Sequence, residues 1–312
     1  MLPSSGLRTP SRGLQQVLAP LIAASALLVA VCASFGVLPH GPRGSTILPL
    51  VVVAILAFST VTVHVLAQLR GGTADWTRAW RRLGELLIDW GPLIGALIVY
   101  DNYHDLTARF APTTLDGVLG AVDRRVFGAM PAVWLTRFYH PLLTELMTVC
   151  YASLFVFPLF LLTRLSIRHD RARFREVAVA LLLTYSIGLI GYLTIPAIGP
   201  RYAFESSFDA PLVGLWLTTP AAHMWRSLQA IDRDCFPSLH VALSTVSLVY
   251  LWRFRAWRGG RVILAVSTPV IVGLWISTLY LRYHYGVDVL AGFALAAVVT
   301  WVAPRLTSSV AA

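Results

Sequence analysis

The chain has 312 residues, 57% hydrophobic and only 13% charged, with a mean hydropathy of +0.69. One water-soluble core cannot hide that much apolar surface, so the composition excludes an ordinary soluble protein and points to the bilayer. The net charge of +10 comes entirely from arginine, and the arginines bracket apolar runs in short clusters, which is how topology is set and not how nucleic acid is bound.

Windows of about 20 apolar residues predict eight spans, at 17–38, 47–69, 83–100, 141–163, 176–197, 237–252, 262–281 and 285–304. The expected fold is therefore an all-α, polytopic membrane helical bundle. It divides into an N-terminal two-span extension (1–82), a core (83–304) and a short tail (305–312). The first run follows Arg8 and Arg12 and is too long for a signal-peptide core. Cys32 and Cys150 lie inside apolar runs as small hydrophobes, and with Cys235 they form neither a disulfide framework nor a zinc spacing.

Arginine clusters follow the second span (Arg70, Arg78, Arg81, Arg82), the fourth (Arg164, Arg168, Arg171, Arg173, Arg175) and the sixth (Arg253, Arg255, Arg258, Arg261). Those loops are expected to be cytoplasmic, with both termini inside and the alternate loops outside the cell membrane. In the outer segment from Asp101 to His140, Leu115, Val118, Leu119, Val122, Val126 and Phe127 recur at helical spacing. This predicts an amphipathic helix in the interface, broken at Gly128 and Pro131 and followed by a second short helix, with an ordinary surface helix as the alternative. Trp76, Trp80, Trp90, Trp252, Trp257 and Trp301 fall near span ends, as in an aromatic belt.

The same topology puts His240 and His284 on one face, each where a polar loop meets an apolar run. His284 and Asp288 are four residues apart, hence on one helix face, so the carboxylate can accept from one ring nitrogen and leave the other as an outward lone pair. That is the arrangement of an oriented nucleophile or base. An aspartate inside a span costs roughly 2.5–3.5 kcal/mol by insertion scales, which favours a functional reading over chance spacing. Ser238 is a plausible N-cap for the sixth span; a capped helix start offers free N–H groups and a positive dipole end to an anion such as phosphate. His240, on the first turn, could then protonate a leaving group. Arg201, after the Gly199-Pro200 turn, could clamp phosphate oxygens with its guanidinium fork.

Phe236-Pro237-Ser238-Leu239-His240 and the run from His284-Tyr285 through Asp288 to Gly292 resemble two motifs of the type-2 phosphatidic acid phosphatase superfamily. Within it, they and the Asp123–Pro131 and Gly199–Tyr202 segments are most similar to the inositol phosphorylceramide synthase branch. The resemblance covers about residues 85–304. It implies phosphoryl transfer without metal or other cofactor: His284 attacks phosphorus, Asp288 orients it, His240 protonates the departing oxygen, and an alcohol or water accepts the group. Arg201, Ser238 and Arg282 are the implied phosphate-binding residues. Three departures stand out: Leu239 replaces a glycine of the phosphatase pattern, Thr278 replaces an arginine six residues before the second histidine, and the lysine-containing first motif is absent.

The expected function is thus a phosphotransferase acting on lipid phosphates at the outer leaflet, with a lipid phosphate phosphatase as the alternative. A transporter or channel, with His64, Asp89, Glu145 and Asp288 as an ion path, is the rival from another class. A noncatalytic lipid-binding relative would lack one of His240, His284 and Asp288, and all three are present. Asp89 and Asp101, bracketing the third span, are candidates to shape the acceptor pocket.

Overall fold

The structure is a computed structural model that describes residues 44–69, 76–101, 107, 113–209, 211–228 and 233–308. The predicted first span, 17–38, and the side chains of His64 and Asp101 lie outside the described residues. Ten helices organise the rest: α1 (Gly44–Leu69), α2 (Trp76–Asp101), α3 (Asp116–Phe127), α4 (Pro141–Ala152), α5 (Val156–Ile167), α6 (Arg171–Thr194), α7 (Thr218–Leu228), α8 (Leu239–Arg253), α9 (Gly260–Tyr280) and α10 (Gly286–Ser308).

Five stretches among the described residues are long and apolar enough to cross a membrane: Trp76–Tyr100, Pro141–Ile167, Arg171–Thr194, Gly260–Tyr280 and Gly286–Thr307. They correspond to the predicted third, fourth, fifth, seventh and eighth spans. The fourth is α4 and α5 joined by a 3-10 turn at Ser153–Phe155. The predicted sixth span corresponds to α8, which at 15 residues is not among the stretches long enough to cross. At 1.5 Å per residue that is about 22 Å against a hydrocarbon core of about 30 Å. Arg253 closes its C-terminal end and His240 lies on its first turn.

Helix α8 is the centre of the bundle, packed against α5, α6, α9 and α10. Its Ala242, Val246 and Tyr250 are completely buried, together with Leu161, Leu165, Ile271, Leu274 and Ala296 from the surrounding helices. Lipid tails are as apolar as these side chains, so close packing is what holds the helices together. A close approach at Gly292, where a Cβ would come within 2.7 Å of the Ser238 carbonyl, brings α10 against the start of α8.

The amphipathic segment folds as predicted into α3 and a short helix at Pro131–Trp134. Its faces are the reverse of a soluble surface helix. Val118, Val122 and Val126 are exposed, while Asp116, Leu119, Gly120 and Asp123 are buried on one stripe. Apolar residues face outward and carboxylates face the protein, as suits a helix lying in an interface. Trp80, Trp252 and Trp301 are exposed near helix ends, in keeping with an aromatic belt. Trp90 is instead a core residue, tilted against Phe174 at 5.5 Å between ring centroids.

Candidate active site

Ser238 opens α8 as expected: its hydroxyl accepts from the Val241 N–H at 3.4 Å, and its own N–H donates to the Asp288 carbonyl at 3.2 Å. Ser238 is completely buried, so its hydroxyl is committed to the cap. Among the described residues, the N–H groups of Leu239 and His240 have no acceptor and lie at the positive end of the helix. The His240 ring stacks on Tyr151 of α4, with centroids 4.2 Å apart and planes 22° apart.

His284 sits in the turn before α10, 3% exposed. Its Nδ1 lies 3.0 Å from the Cys235 carbonyl. A carbonyl can only accept, so Nδ1 carries the proton and Nε2 keeps its lone pair. The spacing argument placed Asp288 in that role; its Oδ2 is behind the ring at 3.5 Å, farther than the carbonyl. Asp288 is fully buried, and its Oδ2 accepts from the Tyr285 N–H and the Cys235 thiol, each at 2.8 Å. Its Oδ1 has no partner among the described residues. The two histidine rings are tilted 58° with centroids 5.7 Å apart, close enough for both to reach one phosphoryl group.

Cys235 Sγ, His284 Nδ1 and Asp288 Oδ2 lie within 4.8 Å of one another, a set of types that can ligate a metal. In this arrangement Nδ1 donates to a carbonyl and Oδ2 already receives two donors. The cluster is built as a hydrogen-bond network around the histidine.

Two arginines lie in the loops next to the His284 turn. The Gly199-Pro200 turn, with Gly199 at φ 88°, lies so close to the next motif that a Cβ at Gly199 would strike the Tyr283 carbonyl. This proximity lets the Arg201 N–H donate to the Arg282 carbonyl at 2.7 Å and the Arg201 guanidinium donate to the Tyr283 hydroxyl at 3.0 Å. Arg282 adopts φ 66°, uncommon for a residue with a side chain and costing on the order of 1–3 kcal/mol. Its guanidinium lies over Phe208 at 4.1 Å. Burial first, then the charge of Arg201, push Arg282 below the usual arginine range. Two cations held together, one buried, make a place where an anion is stabilised.

The carboxylates of α3 hold the loops that carry these groups. Asp116 accepts from the N–H groups of Ile198 (3.1 Å) and Gly199 (3.0 Å) and from the Tyr285 hydroxyl (2.8 Å). Asp123 accepts from the N–H groups of Gly286 and Val287, both at 2.9 Å, at the start of α10. Burial raises the Asp123 carboxyl above the ordinary value, partly offset by those two N–H groups. One helix thus ties the Arg201 turn to the His284 turn. Sequence reading placed both aspartates on the polar face of an amphipathic helix and missed this; their spacing of seven, two turns along one stripe, was the available signal.

Aromatic rings close the site from the side. Tyr151 stacks on Tyr283 at 4.9 Å and meets the edge of Trp225 of α7 at 4.9 Å. Helix α7 is anchored by Glu145, which accepts from the N–H groups of Leu215, Trp216, Leu217 and Thr218 and from the Thr218 hydroxyl. Leu243, one turn on from His240, and Leu154, one turn on from Tyr151, line a small apolar crevice with Phe155, Trp90, Leu162 and Leu181.

Several expectations change. Glu145 and Asp89 do not form an ion path: Glu145 caps α7, and Asp89 is held by Arg171 at 2.7 and 2.8 Å on the arginine-rich side of the bundle. Asp89 therefore does not shape a pocket near the histidines. Leu239, where the phosphatase pattern has glycine, is buried and packs against Gly188 of α6, where a Cβ would lie 2.5 Å from its Cδ2. Thr278 contributes its carbonyl, which accepts from the Tyr283 and His284 N–H groups at 3.0 and 3.1 Å. Cys235, Tyr151, Tyr283 and Trp225 were not singled out by sequence.

Comparison with known proteins gives a family and a partial relative. A family profile described as the PAP2 superfamily matches residues 118–302. The chain is similar to a phosphoinositol dihydroceramide synthase of Bacteroides thetaiotaomicron, 27% identical over 142 residues, which cover 41% of this chain and 45% of that relative. The match therefore spans less than half of the relative's length. No solved structure matches the chain significantly.

Proposed function

This chain belongs to the PAP2 superfamily, and on that footing we propose that it is a membrane phosphotransferase whose phosphohistidine intermediate forms on His284, at the outer face of the cell membrane. The observation that carries the reading is the hydrogen bond from His284 Nδ1 to the Cys235 carbonyl, which leaves Nε2 as the attacking lone pair. Nε2 attacks phosphorus and the bond from phosphorus to the leaving alcohol breaks. His240 gives its proton to that oxygen. The acceptor alcohol then attacks phosphorus, the P–N bond breaks, and His240 takes the acceptor's proton. Arg201 and Arg282, with the free N–H groups at the start of α8, hold the nonbridging oxygens as charge develops. Asp288 supports the imidazolium-like state behind the ring. Ser238 serves this site by fixing the helix start.

Two features favour transfer over hydrolysis. The wall of Tyr151, Tyr283 and Trp225 keeps water from the phosphohistidine, and the apolar side chains one turn on from His240 and Tyr151, Leu243 and Leu154, suit a lipid substrate. By analogy with the named relative, the donor carries a phosphoinositol head group and the acceptor is a lipid alcohol of the dihydroceramide kind.

The test is transfer of label from phosphatidylinositol to candidate lipid alcohols by purified protein in detergent, wild type against His284→Ala. Loss of at least about 10⁴-fold is expected for a variant without its nucleophile. Unchanged turnover would sink the mechanism, and release of free phosphate from a lipid monophosphate without transfer would move the function to a phosphatase. A single cysteine placed at the exposed Glu205, in a background without the native cysteines, tests orientation: it must react with an impermeant reagent from outside intact cells.

A further inference from the structure

Cys235 touches the nucleophile and its carboxylate with two different groups. Its main-chain carbonyl receives the His284 Nδ1 proton at 3.0 Å, and its thiol lies 2.8 Å from Asp288 Oδ2. A thiol has one proton, and two acceptors are within reach: the Asp288 carboxylate and, at 3.3 Å, the Tyr283 carbonyl. A charged acceptor takes it in preference to a neutral one. Cys235 is 3% exposed, and burial together with the Asp288 charge pushes the thiol above its ordinary range, so it keeps its proton and donates.

The carboxylate needs that donor. Asp288 is fully buried, its Oδ1 has no partner among the described residues, and its Oδ2 is fastened by the Tyr285 N–H and the thiol alone apart from the histidine behind it. With the thiol gone, one N–H would hold the group, leaving it able to rotate away from the ring. We propose that Cys235 is a positioning residue: its carbonyl selects the His284 tautomer, and its S–H pins the Asp288 carboxylate behind Nδ1, where it meets the positive charge that the ring gains on phosphorylation. The inference rests on the phosphohistidine reading. Replacing the side chain removes only the second of these functions, since the carbonyl remains.

The test compares wild type, Cys235→Ser, Cys235→Ala and His284→Ala for single-turnover phosphoenzyme formation and for kcat and KM of transfer. Cys235→Ala is expected to lower kcat and the phosphorylation rate by roughly 10–100-fold, as second-sphere partners do, with KM within about twofold. Cys235→Ser, which keeps a donor, is expected within about threefold of wild type. Wild-type rates in Cys235→Ala, or equal losses in the alanine and serine variants, would overturn the proposal. Should the alanine variant lose its helical circular dichroism, Cys235→Val, which fills the space without a donor, gives the same comparison against serine. Turnover persisting in His284→Ala would instead defeat the phosphohistidine reading, whereas an inactive His284→Ala beside a fully active Cys235→Ala defeats this inference alone.

Discussion

The two polar ends of the bundle use carboxylates in opposite ways. At the arginine end they meet arginine: Asp89 binds Arg171 through both oxygens and lies 3.6 Å from Arg175, Glu85 is 3.3 Å from Arg171, and Glu176 is 3.3 Å from Arg253. At the histidine end Asp116, Asp123, Glu145 and Asp288 all accept from backbone N–H groups. The consequence is electrostatic as well as structural. Carboxylates that satisfy backbone donors fix loops in place and are not matched one to one with arginines. Arg201 makes no ion pair among the described residues, and its charge reaches the buried Arg282. One end pairs its carboxylates with arginine; the other turns them to the backbone that carries the histidines.

If that contrast is right, damage at the histidine end should cost rate and damage at the arginine end should cost stability. After loss of the nucleophile, the largest effect is expected for His240→Ala, about 10²–10⁴-fold in kcat with a poor leaving group. A donor with an acidic leaving group, such as a nitrophenol ester, should recover most of that loss, because its oxygen needs no proton. An equal deficit with both donors would remove His240 from the general-acid role. Next comes Arg201→Ala, which deletes a charge-assisted contact worth about 1.5–3 kcal/mol and should weaken phosphate binding by roughly 10–150-fold. The loss should be seen in kcat/KM for the lipid donor, with the thermal transition in detergent unchanged. A shifted transition with intact kcat/KM would make Arg201 a structural residue and erase the contrast.

The bundle was legible because apolar length and arginine clustering are local properties of the chain. The histidine pair was legible for the same reason, since helix caps and four-residue spacings are read within one motif. What stayed hidden depends on contacts across long separations. Asp116 and Asp123 reach residues 198–199 and 285–287, and nothing in α3 alone says which of its faces will meet lipid. In water the valines would turn inward; here the solvent is the bilayer, and the aspartates do. Asp89 misled for a related reason: an acid within a predicted span invites a functional reading, yet α2 begins at Trp76, and Asp89 lies far enough down the helix to reach Arg171 at the start of α6. Cys235 was passed over because a single cysteine has no pattern to read; only the fold brings its carbonyl to one histidine nitrogen and its thiol to the carboxylate.

Asp89 also supplies the smallest predicted effect on rate. Its carboxylate is 6% exposed, whereas the two arginines it serves are about 30% exposed, so the pair is neither a surface bridge nor a fully buried one. Asp89→Asn keeps the size and one acceptor but removes the charge that opposes Arg171 and Arg175. The cost should fall between the surface and buried limits, about 1–3 kcal/mol, seen as a lower thermal transition in detergent. Transfer rate per folded molecule should stay within about twofold, because Arg171 begins α6 at the end opposite His240. Adding Arg175→Ala should recover part of the loss, since it removes one of two like charges left facing an amide. A fall in kcat at an unchanged transition would restore Asp89 to the acceptor pocket and place catalytic work at the end that the arginines otherwise close.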